Sequence, residues 1–559
     1  MRTELDARMD ATMAALTGEG GPLALGSIAR FGRTLPCIAT APPTLPAYFA
    51  HFCAEHRDKT FLVCGDERLT FGQAYDGATR VAQALVDGYG IRPGDRVALA
   101  ARNSAAWIVL YMGIVMAGGV ATLLNGWWQA EELADAVAES TPALILADPP
   151  RVKRLGDSPV PVHPFDDTLP IEQALDALLA RAKGAPLPTV GADDHATILF
   201  TSGSTGRARG ALSTHFQVVQ GTFNFLASAM MMLAISTQDG KPMAAQPATL
   251  LNVPLFHVTA MVPTFLQSFA MGRKLVLMSR WDAEEAMRLI EREQITYFVG
   301  VPLMSLEMLN HPRRDAYDLS TVTDFAAGGA PRPVEHVRRL DAELPGSPLI
   351  GYGLTETNAV GAGNWRSNYL AKPASTGRAS APLVEFAILD DAGQQVRLGG
   401  VGEIGIRSAA CFEGYWGRPA DTAACYTADG FFRTGDLGYL DVDGYLFIVD
   451  RKKDIIIRGG ENISCQEVEA ALYTHGAVAE AAVFGLADER LGEVPCAVVH
   501  LTDPTATSDA ELIAFLGAHL AAFKVPQRLW LSPDPLPRLG TEKIDKVSLR
   551  KSYAASAAG

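Results

Sequence analysis

The chain has 559 residues, of which 48% are apolar and 20% are charged, and its formal net charge is −14. A chain of this length exceeds one ordinary hydrophobic core, so two or more domains are expected. The acidic balance argues against a general nucleic-acid binder, which would carry a basic surface. It leaves open a small anionic ligand that is held in a locally positive loop.

The cysteines and the apolar runs favour a soluble chain with free thiols. The 7 cysteines are scattered, with no C-x-x-C pair, which predicts neither a disulfide framework nor a zinc site. Residues 1–19 lack the apolar core of a signal peptide. The apolar run Phe225–Ile235 is too short to span a bilayer and predicts a buried helix or a pocket wall. We therefore expect a cytoplasmic protein without an integral membrane segment.

The first part of the chain has the pattern of α/β layers. Residues 1–44 are interpreted as an N-terminal extension with helical and loop segments. Strands are predicted at residues 96–99, 143–146, 274–277 and 297–299, and helices at residues 105–117 and 283–293. Strands that alternate with helices imply parallel sheets covered by helices.

The pattern changes beyond Ala381. Gly402–Ile406 and Gly444–Val449 lie between Asp/Gly turns and favour antiparallel strands in a barrel-like subdomain. The charged run Asp450–Asp454 is either a solvated turn or a linker between domains. A small α+β pattern follows, with helices predicted at residues 466–474 and 510–520 and strands at 481–484 and 497–500. The tail Leu536–Lys546 is expected to be an exposed loop.

The segment Thr197–Gly210 carries the strongest chemical signal. An apolar, β-prone run leads into the loop Thr201-Ser202-Gly203-Ser204-Thr205-Gly206, and Arg209 follows it. Glycines bring backbone N–H groups close to an anion, while hydroxyls and arginine add donors and charge. This composition suits a polyphosphate, although the common P-loop pattern is absent. A plain surface turn has a similar composition, so the loop alone is not decisive.

Further short motifs carry carboxylates, glycines and a lysine. In Tyr352–Thr357, Glu356 would suit Mg2+, which takes oxygen ligands beside phosphates; the alternative is a capped helix start. In Thr434–Asp436 the carboxylate would accept both hydroxyls of a ribose; the alternative is a simple turn. Gly459-Gly460 comes next, and Lys543 lies in the terminal loop.

Taken in this order, the motifs resemble the adenylate-forming superfamily of acyl-CoA synthetases, adenylation domains and luciferases. The resemblance covers about Leu45 to Arg550. It rests on Phe200–Gly210, Pro254–His257, Gly328–Ala330, Gly351–Thr357, Phe432–Asp436, Asp450–Asp454, Gly459–Glu469, Phe523–Pro526 and Pro537–Lys546. Each piece is weak by itself, and their joint order is highly specific.

The resemblance implies a fold of two domains. Residues 45–450 would form a large ATP- and acyl-binding domain of α/β layers with a β-barrel-like subdomain. Residues 451–559 would form a small, mobile α+β domain, with Lys453 at the family's hinge position. One active site would then host two reaction steps if the small domain rotates.

The resemblance also implies a role for each motif. Lys543, Glu356, Thr201 and His257 would be the catalytic residues, with Lys543 on the α-phosphate and His257 near the acyl and thiol channel. For His257 an ordinary buried histidine is the alternative. The ATP phosphates, Mg2+, the nucleotide and CoA would be held as follows: phosphates by Thr201, Ser202, Gly203, Ser204, Thr205, Gly206, Arg209 and Thr355; metal by Glu356; the adenine and acyl pockets by Gly328, Gly329, Ala330, Gly351, Tyr352 and Gly353; ribose by Asp436 and Arg451; and pantetheine by Gly459 and Gly460.

Three positions depart from the family's pattern. Arg209 stands where lysine is usual, which keeps the charge but changes its geometry. Glu542 replaces the glycine before Lys543, which adds negative charge and stiffens the backbone. Cys465 replaces a usual proline at little expected cost.

The implied reaction is that of an ATP-dependent acyl-CoA ligase, in which a carboxylate forms an acyl-adenylate that CoA then converts to a thioester. Small side chains in Asn358–Gly363 favour a medium- or long-chain fatty acid, with an aryl or polycyclic acid as the alternative. An enzyme that loads a separate carrier protein, a luciferase-like oxygenase and a non-catalytic nucleotide-binding module stay open. Neither nucleic acid nor a membrane is an expected partner, and the oligomeric state is open, with a homodimer as one alternative.

Overall fold

A computed structural model describes residues 2–201, 208–240, 245–539 and 543–557. Within these ranges the strands form an N-terminal hairpin and three larger sheets. The helices pack on the faces of the sheets. Their bounds are α1 Glu4–Thr17, α2 Leu45–Glu55, α3 Phe71–Tyr89, α4 Ala105–Met116, α5 Ala130–Ser140, α6 Pro149–Leu155, α7 Ile171–Leu179, α8 His215–Gln238, α9 Val258–Ala260, α10 Gln267–Ala270, α11 Ala283–Glu293, α12 Pro302–Asn310, α13 Val334–Glu343, α14 Arg366–Ala371, α15 Pro419–Ala424, α16 Cys465–Tyr473, α17 Asp509–His519 and α18 Lys546–Ala557.

The N-terminal segment is a structured part of the large domain. After α1 it forms a hairpin of β1 Leu25–Arg30 and β2 Arg33–Ile38, which the expectation of helices and loops missed. In α1 the Asp6 side chain is fully buried and accepts hydrogen bonds from Tyr445, Arg378 and Asn368. The extension is therefore attached to strands that lie more than three hundred residues further along the chain.

The first large sheet has the order β20-β10-β9-β6-β5-β7-β8. Its strands are β5 Arg96–Ala100, β6 Val120–Leu123, β7 Leu144–Ala147, β8 Val162–Pro164, β9 His195–Thr201, β10 Arg209–Thr214 and β20 Gly414–Tyr415. Strands β5 to β9 pair in parallel, and the central ones are buried along nearly their whole length, as expected for a sheet covered on both faces. The strands predicted at residues 96–99 and 143–146 and the helix at 105–117 are confirmed.

The second sheet has thirteen strands in the order β18-β19-β21-β22-β17-β16-β15-β14-β13-β11-β12-β3-β4. They are β3 Thr60–Cys64, β4 Glu67–Thr70, β11 Ala248–Leu251, β12 Lys274–Leu277, β13 Tyr297–Gly300, β14 Asp324–Ala327, β15 Ser347–Gly353, β16 Gly361–Trp365, β17 Gly377–Ala379, β18 Glu385–Leu389, β19 Gly402–Arg407, β21 Phe432–Leu440 and β22 Tyr445–Arg451. Strands β11 to β15 are parallel, whereas β16 to β19, β21 and β22 are antiparallel. The antiparallel strands predicted beyond Ala381 thus extend the parallel sheet through the β15–β16 pair.

Helix α8 is the longest helix in the described part of the chain. Its 24 residues include the apolar run Phe225–Ile235, and most of its side chains are buried. It is the one described helix long and apolar enough to cross a membrane, and 72% of its most apolar window is buried within the protein. The buried helix predicted for this run is confirmed.

The C-terminal sheet has the order β24-β23-β26-β25, with β27 beside β26. Its strands are β23 Ile456–Arg458, β24 Glu461–Ile463, β25 Val478–Asp488, β26 Gly492–Leu501 and β27 Arg528–Ser532, and α16 and α17 pack on it. This agrees with the predicted α+β pattern. The expectation of an exposed tail holds for Pro537 and Leu539 and is wrong at both ends of the segment, where Leu536 is buried and Lys546 Nζ lies 2.6 Å from the Glu469 carboxylate. Both contacts anchor the tail to the sheet.

Candidate active site

Several predicted ligand-binding segments lie at the edge of the second sheet where strands β13 to β15 end. Gly328 and Gly329 directly follow β14, and Gly351–Gly353 form the end of β15. The short turn Thr355–Thr357 comes next. In sheets of parallel strands, ligands bind outside the carboxyl ends of the strands, so this edge is where the architecture places a site.

Lys543 of the terminal segment reaches this edge. A Cβ built on Gly329, whose φ is +80°, would lie 3.2 Å from Cε and 3.5 Å from Nζ of Lys543. The left-handed φ favours glycine at 329, and any larger residue there would also press on the end of the Lys543 side chain. Burial and the nearby charge of Arg451 lower the pKa of Lys543 to about 8, against the opposing attraction of Asp436. At neutral pH the side chain is still mostly protonated, so it can bind an anion.

His257 belongs to the same cluster. Its Nδ1 accepts a hydrogen bond of 3.3 Å from the amide of Thr259 and so caps the short helix α9. Burial and the charge of Lys543 lower the pKa of His257 to about 3. The imidazole is therefore neutral at physiological pH, and it offers hydrogen bonding without a positive charge.

Asp436 and Arg451 are partners across strands β21 and β22. Arg451 Nε lies 3.0 Å from Asp436 Oδ1, and the hydroxyl of Tyr352 donates to Oδ2 over 2.7 Å. Burial raises the pKa of Asp436, while the charge of Arg451 opposes that shift. Each carboxylate oxygen can accept more than one hydrogen bond, so the group can also receive hydroxyls of a ribose.

Glu356 lies in the turn that follows β15 and is buried. Its Oε1 accepts a hydrogen bond of 2.7 Å from the hydroxyl of Tyr415. No described residue donates to the other oxygen, and the described chain contains no cluster of three or more His, Cys, Asp or Glu side chains. A single carboxylate with one oxygen available fits Mg2+, which binds through one or two carboxylates together with water and substrate phosphates.

Thr201 and Arg209 flank the predicted phosphate loop. They face each other across strands β9 and β10, and the hydroxyl of Thr201 is buried with no hydrogen-bond partner among the described residues. A buried hydroxyl without a partner is costly unless a ligand accepts from it, which fits a phosphate oxygen. The other predicted loop residues, Ser202, Gly203, Ser204, Thr205 and Gly206, lie outside the described residues, as does Glu542.

Comparison with known proteins assigns the family. Residues 49–416 match the model of the AMP-binding enzyme family, and residues 467–543 match that of the AMP-binding enzyme C-terminal domain. The chain belongs to the AMP-binding enzyme family. It is thus an AMP-forming acyl-CoA ligase that uses ATP, as the motif order predicted.

Three similar proteins illustrate the range of this family. The 3-[(3aS,4S,7aS)-7a-methyl-1,5-dioxo-octahydro-1H-inden-4-yl]propanoyl:CoA ligase of Rhodococcus jostii is 34% identical, over 91% of this chain and 99% of that protein. A long-chain-fatty-acid–CoA ligase of Mycobacterium tuberculosis is 32% identical, over 88% and 94% of the two chains. Among solved structures, the o-succinylbenzoate coenzyme A synthetase of Bacillus subtilis with ATP and magnesium is 27% identical, with a TM-score of 0.76 over 90% and 99%.

Two predicted members of the acyl-CoA ligase site lie in the C-terminal sheet. Gly459 and Gly460 form the turn between β23 and β24, with φ of +60° and +92°. The amide of Gly459 donates to the carbonyl of Leu491 over 2.7 Å. The left-handed backbone explains why glycines stand there. Their role along a pantetheine tunnel stays a prediction.

The small residues after Glu356 have a structural cause that the sequence did not reveal. A Cβ on Gly353 would lie 2.0 Å from the carbonyl oxygen of Ala359, and one on Gly361 would lie 2.2 Å from that of Tyr352. Glycine is needed here because two backbone segments approach each other. These glycines are therefore no evidence for a wide pocket that would admit a long acid.

Sequence reasoning missed Tyr415 and Asp450. Tyr415 lies on β20 and reaches Glu356 across 59 residues of chain, for which no local pattern exists. Asp450 appeared to be part of a solvated charged run but is buried, and its Oδ2 accepts from the hydroxyl of Ser464 and the amide of Gln466. Asp450 thus joins the last strand of the second sheet to α16 at the predicted domain boundary.

Proposed function

We propose that this ligase activates a hydrophobic carboxylic acid, with a medium- or long-chain fatty acid as the first candidate. The observation that carries the adenylation chemistry is the convergence of Lys543, Gly329 and His257 at one edge, with Asp436 and Arg451 beside them, whereas the choice of acid rests on the apolar residues around His257. This arrangement provides one cation for the reacting oxygens and a separate ion pair for the ribose.

In the adenylation step, the acid's carboxylate attacks the α-phosphate of ATP, and pyrophosphate leaves. Lys543 neutralises charge on the α-phosphate and on the attacking oxygens, in a half-buried position where charges interact more strongly than in water. The hydroxyl of Thr201 and the guanidinium of Arg209 hold the phosphates. Mg2+ bound at Glu356 would supply further neutralisation of the phosphate charge.

In the second step, the CoA thiolate attacks the carbonyl of the adenylate, and AMP leaves. We propose that the C-terminal domain rotates about Lys453 between the steps, which withdraws Lys543 and brings the Gly459-Gly460 turn to the site. Desolvation is the larger cause of the lowered pKa of His257, so the imidazole stays neutral after Lys543 has left and does not attract the phosphates. It positions groups through hydrogen bonds alone.

A cationic cleft beside Phe256 supports CoA, rather than a carrier protein, as the acceptor. The cleft has a volume of about 310 Å3, and its lining includes Arg102, Arg280, Trp127 and Trp281. Arg102 lies 5.7 Å above the Trp127 ring, and its Nε has no hydrogen-bond partner among the described residues. Guanidinium groups suit the phosphates of CoA, and indole rings suit its adenine.

Substitution of Arg102 tests this acceptor assignment. We expect Arg102→Ala to raise the KM for CoA about tenfold, because one charge-assisted phosphate contact is lost. Pyrophosphate release in the absence of CoA should not change. A KM for CoA equal to that of the parent enzyme would contradict the assignment of the cleft.

The apolar surroundings of His257 favour a hydrophobic acid. Val258 and Met261 follow it in the chain and are buried, as is Val360 after the turn at Glu356, and helix α8 packs against residues 261–270. A fatty acid would bind among such side chains without an unpaired charge. The indene-ring acid named for the Rhodococcus relative keeps a polycyclic acid as the second candidate.

A substrate screen decides between these acids. CoA-dependent AMP release should be compared for octanoate, palmitate, cinnamate and a fused-ring propanoate at equal concentrations. We expect the largest kcat/KM for a fatty acid. A larger kcat/KM for the ring acids would replace the first candidate by the second, and thioester formation only on a holo-carrier protein would overturn the CoA assignment. Cytoplasmic location and a homodimer remain proposals, to be tested by cell fractionation and light scattering.

A further inference from the structure

Tyr415 contacts both sides of the proposed Mg2+ and ATP site. Its hydroxyl donates to Oε1 of Glu356 over 2.7 Å, and the guanidinium carbon of Arg209 lies 4.1 Å from the centre of its ring. The Tyr415 side chain is only 6% exposed, so both contacts are shielded from water. One side chain therefore touches the predicted metal carboxylate and the cation at the end of the phosphate loop.

The backbone around Tyr415 is held firmly. Strand β20 pairs with β10, with Tyr415 opposite Ala211, and Glu139 accepts hydrogen bonds from the amide of Gly210 and from the guanidinium of Arg418. Glu139 thus ties the start of β10 to the turn after Tyr415. A side chain on so constrained a backbone can fix the positions of its partners.

The contact also explains why arginine replaces the family's usual lysine. A guanidinium group is planar, weakly hydrated and well suited to an aromatic face, whereas an ammonium group is a compact, strongly hydrated charge. Arg209 can rest on the Tyr415 ring and still direct N–H groups toward a phosphate. The arginine at position 209 is therefore matched to the aromatic ring of Tyr415.

We propose that Tyr415 is a positioning residue that connects Arg209 to Glu356 and thereby holds the phosphate and metal sides of the site in one arrangement. Its hydroxyl occupies Oε1 of Glu356 and leaves Oε2 for Mg2+. This inference rests on the proposed role of Glu356 as the metal ligand. Tyr415 acts through its two neighbours and does not touch the reacting atoms.

The test measures ATP binding by calorimetry over a series of Mg2+ concentrations, without acid or CoA. We expect Tyr415→Phe to raise the Mg2+ concentration for half-maximal binding about threefold to tenfold, the effect of one lost hydrogen bond to a charged group. In a Glu356→Gln background the same substitution should add nothing. Tyr426→Phe is the matched control, because it removes a half-buried hydroxyl of the same aromatic cluster that bonds only the carbonyl of Phe412 among the described residues.

The outcomes separate this inference from the proposed function. If Glu356→Gln leaves the Mg2+ requirement unchanged, the metal role of Glu356 fails. If Glu356→Gln raises it and Tyr415→Phe does not, only the role of Tyr415 fails. Equal shifts for Tyr415→Phe in both backgrounds, or equal shifts for Tyr415→Phe and Tyr426→Phe, also overturn the inference.

A second arm tests the ring contact. Arg209→Lys should weaken ATP binding about twofold to fivefold in the parent enzyme and in Tyr415→Phe, which keeps the ring. In Tyr415→Leu the same change should have little effect, because the ring is gone. If Arg209→Lys weakens ATP binding equally in Tyr415→Leu and in the parent enzyme, the pairing of Arg209 with Tyr415 is overturned.

Discussion

At the scale of single residues, Lys543 is held where its charge is destabilised. It is half-buried, and desolvation and the charge of Arg451 lower its pKa to about 8, while the charge of Asp436 opposes that shift. An ammonium group in such a place interacts more strongly with a phosphate than one in water does. A phosphate bound there would offset the cost of desolvating the lysine.

The pH dependence of adenylation should report this lysine. Because the pKa of Lys543 is lowered from 10.5 to about 8, the group is charged below that pH and loses its proton as the pH rises through it. We expect kcat/KM for ATP in the pyrophosphate-release reaction to fall above about pH 8. In Lys543→Arg, whose guanidinium stays protonated, this alkaline limb should vanish. An identical limb in both enzymes would show that another group titrates.

Removal of the lysine should separate the two half-reactions. Lys543→Ala is expected to lower the rate of pyrophosphate release about a hundredfold to a thousandfold, because one pre-positioned charge at the transition state is lost. Thioester formation from synthetic acyl-adenylate should persist. An equal loss in both half-reactions would refute the assignment of Lys543 to adenylation alone.

At the scale of elements, the N-terminal helix is stabilised by a buried polar cluster. Asp6 of α1 lies 3.0 Å from Arg378 of β17 and accepts from the hydroxyl of Tyr445 of β22 over 2.9 Å. Burial raises the pKa of Asp6, but the hydrogen bonds from Thr3, Tyr445 and Arg378 outweigh burial and lower it overall. The helix is therefore fixed by charge as well as by packing.

Loss of this carboxylate should destabilise the large domain. Asp6→Ala is expected to lower the free energy of unfolding by about 2–4 kcal/mol, because the buried hydroxyl of Tyr445 loses its acceptor and the half-buried Arg378 keeps only Asp10 as an ionic partner. Asp10→Ala removes an exposed carboxylate that pairs with the same Arg378 over 3.0 Å, and it should cost about 0–1 kcal/mol. Urea denaturation measures both.

The same cluster predicts an acid dependence. Because the folded-state pKa of Asp6 is below its usual 3.8, its contribution is complete above 3.8 and is lost as the pH falls below it toward the folded value. The difference between parent and Asp6→Ala should therefore shrink in strong acid. A difference that stays constant with pH would contradict a role for the charge.

At the scale of the whole molecule, the two domains meet at the end of β22. Asp450 accepts from Ser464 and Gln466 of the C-terminal domain, and Lys453 lies exposed in the turn just beyond it. Among the described residues the amide of Lys453 makes no backbone hydrogen bond. A rotation about this turn would leave both hydrophobic cores intact.

A proline at the hinge should block one of the two arrangements. Proline fixes φ near −65°, so Lys453→Pro is expected to retain adenylation and to lose most thioester formation. The two half-reactions are measured on one preparation, and Lys453→Ala is the control with a free φ. Parent-like rates in both half-reactions would place the hinge elsewhere. Loss of both half-reactions at an unchanged melting temperature would contradict the expectation that the arrangement for adenylation survives.

Local pattern determined much of the fold. Helix α11 spans the predicted Ala283–Glu293, and strand β12 spans the predicted Lys274–Leu277. These predictions succeed because hydrophobic period and capping residues act over a few neighbours along the chain. The order of the motifs likewise determined the family, since it needs only the sequence of short patterns.

Contacts between distant segments were decided by the tertiary structure alone. Asp6 meets Tyr445 across 439 residues, and Glu356 meets Tyr415 across 59. The tail expected to be exposed is anchored by the half-buried Glu469, and Gly353 and Gly361 reflect the close approach of two backbones. A sequence pattern carries the preferences of a residue and its neighbours, whereas the burial and partners of a polar side chain depend on which remote segment folds against it.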